Sequence, residues 1–162
     1  MKKLKDPEQP VAAFFERAGH LEETLGPVLY QLPPRWKLNQ ERFEHFLSTL
    51  PKGHKHVVEF RDESWLVEEV FKLMERFGVS HCIHDMPPLK IPLRVTANPV
   101  YIRLHGDRDH GGNYADTVLI DWAKRIEDLA GKDGEVFVYF NNDMGGYAVE
   151  NGKRLRELIG GR

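Results

Sequence analysis

Two residue pairs in this chain have the types and spacing of a binding or catalytic face. Glu59 and Arg61 stand two apart in "VVEFR", and Arg103 and His105 repeat the arrangement in "YIRLHG". On a β-strand a spacing of two places both members of a pair on one face. Arginine presents a planar fork that matches phosphate or carboxylate. A carboxylate serves as base or ligand, and imidazole titrates near neutral pH. The combination points to a small anionic ligand held by Arg61 and Arg103, with Glu59 and His105 as the catalytic candidates. The plainer alternatives are an internal ion pair for Glu59 and Arg61 and a satisfied structural histidine for His105. Asn141, in phase with Tyr139 in "VFVYFN", has the place of an orienting amide. Gln31 and Asp85 complete the candidate substrate contacts, the phase of Asp85 being unclear because both faces of its strand are mixed.

Other polar groups carry less. Asp85, His105, Asp107, Asp109 and His110 are metal-ligand types but lack any recognised ligand spacing. No cofactor is therefore expected; a divalent metal is the weaker reading, and Asp107 to His110 read first as a solvated turn. Asn142 and Asp143 suit turn capping before Gly145-Gly146. The Gly111-Gly112 pair lacks the spacing of a phosphate-binding loop, and no G-x-S-x-G motif occurs. Cys82, the single cysteine, reads as a small core residue, and Trp36, Trp65 and Trp122 read as packing.

The elements that must position these residues alternate. Val11, Phe14, Ala18, Leu21 and Leu25 recur at helical spacing up to Gly26-Pro27, which predicts one helix behind Asp6-Pro7. "VLYQLPP" reads as a strand, and Asn39 caps a helix carrying Phe43, Phe46, Leu47 and Leu50. "HVVEFR" is a strand, followed by a helix capped by Ser64 and stopped by Gly78. "VSHCIHD" is the next strand, and four prolines between Met86 and Pro99 argue for an irregular connection. Strand "VYIRLH", a helix from about Asp116 to Ala130, strand "VFVYFN" and a helix from about Gly146 to Ile159 complete the chain. Strand-helix alternation predicts an α/β fold with five mainly parallel strands. Val58 and Phe60, Ile102 and Leu104, and Val136, Val138 and Phe140 form apolar faces, while the opposite faces turn polar toward their C-terminal ends. That pattern favours a partial (β/α) barrel with outer helices over an open doubly wound sheet.

At "LGPVLYQLPP", "VEFRDESW", "YIRLHG" and "YFNND", followed by a helix with Ala148 and Asn151, the sequence resembles the YecE-like family, domain of unknown function family 72. The motifs stand in the family's order, and the resemblance runs from about residue 1 to the end, implying one YecE-like domain over residues 1–162 with a fold similar to a TIM barrel. Family members begin with a strand bearing a G-[TS]-S-G-[WY] type signature and two further strand-helix units. By that comparison this chain holds the last five strands of eight and is N-terminally incomplete. The resemblance implies no settled activity.

The 162 residues carry 41% hydrophobic and 30% charged side chains with a net charge of −2, an ordinary composition for one domain. No nucleic-acid partner and no membrane are expected from that charge and from the lack of a long apolar run, and the cytoplasm is the default compartment. Two functions stand side by side. One is an enzyme-type pocket at the C-terminal strand ends that binds or hydrolyses a small phosphate- or carboxylate-bearing substrate, impaired by the missing strands. The other is a non-catalytic remnant acting as a binding or assembly module. Exposed sheet edges imply either self-association or marginal stability under both.

Overall fold

The computed structural model describes residues 3–106, 111–132 and 134–160. The elements are α1 (Glu8–Ala18), a 3-10 segment (Gly19–Thr24), β1 (Val28–Gln31), α2 (Gln40–Ser48), β2 (His56–Glu59), a 3-10 turn (Glu63–Trp65), α3 (Glu68–Phe77), β3 (Ser80–His84), β4 (Val100–Leu104), α4 (Asp116–Ala130), β5 (Val136–Phe140), a further 3-10 turn (Met144–Gly146) and α5 (Tyr147–Gly160). All strand pairings are parallel and the strand order is β1-β2-β3-β4-β5. The fold is α/β, and consecutive strands pairing as parallel neighbours is the strand order of a (β/α) barrel. The chain divides into two compact units, residues 1–81 with 96–98, and residues 82–95 with 99–162.

In the first unit the apolar faces of β1 and β2 enter one core with α2 and α3. Val28, Tyr30, Val58 and Phe60 pack with Phe43, Phe46, Leu47, Val70, Phe71 and Met74. Trp65 is its centre. The indole stacks on Phe60 at 5.5 Å and 9°, meets Phe43 edge-on at 5.3 Å, and donates its N–H to the Trp36 carbonyl at 2.6 Å. A fully buried aromatic of that size contributes several kcal/mol, so the tryptophan reading as core holds. Asn39 Oδ1 accepts the Arg42 N–H at 2.9 Å and caps α2, while Gly78, at φ 65°, ends α3 in the left-handed region that its missing Cβ permits. Thr96 Oγ1 donates to the Val79 carbonyl and accepts the His81 N–H, which ties residues 96–98 into this unit.

Two local expectations differ from the structure. The first helix ends at Ala18, and the chain continues as a 3-10 segment in which Glu22 adopts φ 47°. Leu21 is 53% exposed, so the periodic leucine finds no core to hold a longer helix. Ser64 does not cap α3. Its hydroxyl donates to Asp62 Oδ1 at 2.8 Å and accepts the Leu38 N–H at 2.9 Å, and α3 begins behind Val67 without a side-chain cap. The bonds from Ser64, with Lys37 at 3.4 Å, hold the Asp62 carboxyl below its ordinary range.

In the second unit Ile83, Val100, Ile102, Leu104, Leu119, Trp122, Ala123, Ile126 and Leu155 form the core, with Val136, Val138 and Phe140 packed against it. The expected apolar faces of β4 and β5 are thus those turned toward α4 and α5. The connection through residues 86–99 is irregular, as its prolines require. Cys82 is buried on β3.

His56 couples the first core to pH. Its Nε2 lies 2.8 Å from the Pro51 carbonyl, which only accepts, so Nε2 carries the proton and Nδ1 accepts from the Tyr30 hydroxyl at 3.2 Å. Burial lowers the His56 pKa, outweighing the Pro51 bond, and burial likewise raises that of Tyr30. A histidine whose folded pKa lies below its unfolded value binds more protons when unfolded. Stability should therefore fall as pH drops through about 6.5 toward the lowered folded value. Urea midpoints measured between about pH 8 and about pH 5 should show that slope, and His56→Gln should flatten it.

Candidate functional site

The first unit brings Gln31, Glu59 and Arg61 together. Gln31 and Glu59 are register partners on adjacent strands, and the Leu32 N–H continues the ladder to the Glu59 carbonyl at 2.9 Å. The Glu59 side chain is 0% exposed and that of Arg61 10%. Arg61 donates from Nε to Glu59 Oε1 and from a terminal nitrogen to Gln31 Oε1 at 3.4 Å. Two ions taken this far out of water require each other, because either alone would be an uncompensated buried charge. Their strand phase is as read from the sequence: both face away from Val58 and Phe60, which lie in the core.

The second unit brings Arg103 and Asn141 together. Arg103 lies level with Tyr139 in the β4–β5 register, and its Nε donates to Asn141 Oδ1 at 3.0 Å. This bond fixes the plane of the guanidinium, and its acceptor is a neutral amide. Tyr101, on the same face, stacks on Tyr139 at 4.9 Å and on Phe137 at 6.5 Å. Burial, followed by the neighbouring Tyr139 and Cys82, raises the Tyr101 pKa and keeps that hydroxyl protonated.

His84 was not among the residues singled out from the sequence. It is the register partner of Arg103, is buried, and meets the His105 ring at 6.1 Å and 87°. Its Nδ1 accepts the Met86 N–H at 3.3 Å, which in the neutral ring leaves the proton on Nε2. The sequence signal for His84 was weak because polar residues alternate on both faces of "SHCIHD"; pairing of β3 with β4 assigns the face.

Asp85 acts on backbone. Its Oδ1 accepts the His105 N–H at 2.7 Å and its Oδ2 accepts the Tyr114 hydroxyl, which in turn accepts the Gly106 N–H at 2.7 Å. One carboxylate and one phenol thereby hold the two residues that follow β4. Gly106 sits at φ 99°, and a Cβ there would lie 2.8 Å from the Gly112 carbonyl oxygen and 2.9 Å from the Asn142 Cβ. Asn142 and Asn151 fasten the neighbouring loop. Asn142 Nδ2 donates to the Gly112 carbonyl and to Asn151 Oδ1, both at 2.8 Å, and Asn151 Oδ1 also accepts the Tyr114 N–H at 3.3 Å. Where the sequence predicts a turn cap, Asn142 is 5% exposed and reaches Gly112, thirty residues away. Asp107, Asp109 and His110 lie outside the described residues. Among the described residues no group of three His, Cys, Asp or Glu side chains is placed to hold a metal ion, and no helix is long and apolar enough to cross a membrane.

Comparison with known proteins agrees with this architecture. The family model "Protein of unknown function DUF72" matches residues 1–162. The UPF0759 protein YunF of Bacillus subtilis is 30% identical over 167 residues, covering 83% of this chain and 58% of its own length. This chain thus spans 58% of that relative. A DUF72 family protein (TM1631) from Thermotoga maritima superposes with a TM-score of 0.88 at 24% identity, covering 98% of this chain and 68% of the other. A DUF72 family protein (EF0366) from Enterococcus faecalis gives a TM-score of 0.80 at 23% identity, with 94% and 66% covered.

The Asp85–Tyr114 bond has a measurable consequence. Tyr114→Phe removes the donor to Asp85 and the acceptor for Gly106 together, and should destabilise the fold by about 1–3 kcal/mol, since both half-buried partners lose their bond. Gly106→Ala should cost at least as much, because positive φ and the close Gly112 carbonyl act together. Chemical denaturation of the two variants against the parent chain checks both outcomes.

Proposed function

The chain belongs to the DUF72 family of proteins of unknown function, and from that premise we propose that it binds a small phosphate- or carboxylate-bearing ligand at the C-terminal ends of β4 and β5. The single observation that carries this reading is Arg103 aimed by Asn141. The bond from Nε to the Asn141 amide orients the guanidinium at the end of β4, and a planar fork held in that way matches the two oxygens of an anion. In the first unit, taken by itself, Arg61 is held by the buried Glu59 carboxylate and by Gln31. In a hydrolytic or phosphoester-type reaction His105 would be the acid/base group, held through its backbone by Asp85 and beside His84. Asp85, with both oxygens engaged by the protein, fits a positioning role better than ligand contact.

Titration calorimetry with inorganic phosphate and with citrate tests this. The chain should bind at least one of them, and Arg103→Ala should weaken that binding roughly tenfold or more while the far-ultraviolet circular dichroism is unchanged. Absence of heat with both anions would remove the reading.

A second reading, association with another copy of this chain, is favoured by a separate observation in the first unit. Pro10, Ala13, Phe14, Ala18, Leu21 and Leu25 line an open apolar hollow of about 600 Å³, with Phe14 45% and Leu21 53% exposed. Among the described residues β1 pairs on one side only, with β2, and β5 only with β4. Exposed apolar area and open strand edges both favour pairing between chains. Multi-angle light scattering should give a mass above that of one chain, and Leu21→Glu should shift it downward. A monomer at all concentrations up to about millimolar, far above typical dissociation constants for stable dimers, would count against self-association.

A further inference from the structure

We propose that the anion bound at Arg103 is carried on a ring, and that the ring lies on Tyr139: the ligand class is a phosphate monoester of a cyclic compound, a sugar phosphate or a nucleotide. This rests on the anion reading above and narrows it. Tyr139 is a large aromatic side chain that is 41% exposed, although it lies on the sheet face shared with Arg103 and Asn141. Its ring is already stacked against buried Tyr101 at 4.9 Å and 28°, and Tyr101 is stacked in turn on Phe137 at 29°. Such an aromatic row is rigid, so a ligand ring placed on it costs little protein ordering.

The spacing fits a compact ester. Arg103 and Tyr139 are register partners, but the guanidinium reaches forward to Asn141, two residues past the tyrosine and just beyond the end of β5. At the rise of a parallel strand that is about 6–7 Å from the tyrosine. A ring on Tyr139 and an anionic group at the guanidinium are therefore separated by roughly the length of an exocyclic phosphoester linkage. The Asn141 amide, on the same row, stands beside that path. A bare anion would use Arg103 and leave the aromatic surface wet, whereas a ring-bearing anion covers it.

Calorimetry with five probes separates the possibilities: inorganic phosphate, a hexose phosphate, the free hexose, a nucleoside monophosphate and the free nucleoside. At least one phosphorylated ring should bind roughly tenfold tighter than inorganic phosphate, the gain expected of one aromatic stack. Tyr139→Ala should abolish that difference and leave inorganic phosphate binding as it was, while Tyr139→Phe should retain it. Arg103→Ala should weaken inorganic phosphate and both esters alike. The two esters, read against their unphosphorylated forms, identify whether sugar or base supplies the ring. Ring esters that bind no tighter than inorganic phosphate overturn the ring proposal and leave the anion site standing. Tyr139→Ala weakening inorganic phosphate to the same degree also overturns it. No binding of phosphate or of either ester overturns both.

Discussion

Each strand of this protein must send successive side chains to opposite faces, and that alternation governs where every polar group can go. Val58 and Phe60 enter the first core, and Ile102, Leu104, Val138 and Phe140 enter or pack on the second. The intervening positions then have no choice but the other face of their own strand, where the first unit places Glu59 and the second unit Arg103 and Tyr139. A slip of one residue in β4 would drive Arg103 into a helix-packed core and expose Ile102 and Leu104. The helices therefore fix the register, and the register fixes the chemistry on the far side.

Within each unit, burial decides what each charge can do. Glu59 is wholly enclosed and Arg61 nearly so, and their ion pair answers a desolvation problem that the fold itself creates. Arg103 is oriented by an amide, a bond that costs little of its field. Two arginines that look equivalent in sequence thus stand in different surroundings: Arg61 bonds the buried Glu59 carboxylate, and Arg103 bonds the Asn141 amide.

The elements were legible because their signals are local. α4 runs from Asp116 to Ala130 as its periodicity indicates, Asn39 caps α2, and Gly78 stops α3. The strand faces were legible wherever one face is purely apolar, as in β4 and β5. Two features escaped because they depend on contacts remote in sequence. His84 sits in a strand whose two faces are both polar, so only pairing with Arg103 assigns its side. Tyr114, Asn142 and Asn151 look like ordinary loop and helix residues, yet they bond across separations of eight to thirty-eight positions. The Ser64 expectation missed for the opposite reason: the hydroxyl had nearer, competing partners in Asp62 and Leu38.

The turn after β4 shows why the chemistry collects at strand ends. Within the strand, Tyr101 is closed over by its aromatic neighbours and keeps its proton. Beyond Leu104 the ladder still provides one bond, from the Asn141 N–H to the Leu104 carbonyl at 2.7 Å, but the His105 and Gly106 N–H groups need other acceptors. Asp85 and Tyr114 supply them, so that the backbone leaves the sheet in one conformation, which only glycine at 106 can adopt without collision. His105 is consequently carried at the end of a strand on a backbone fixed from both sides, with its ring beside His84. A side chain on a free loop would have to be ordered by its ligand. Here the protein has already met that entropic cost in folding, which is the physical reason to look for binding at this end of the strands.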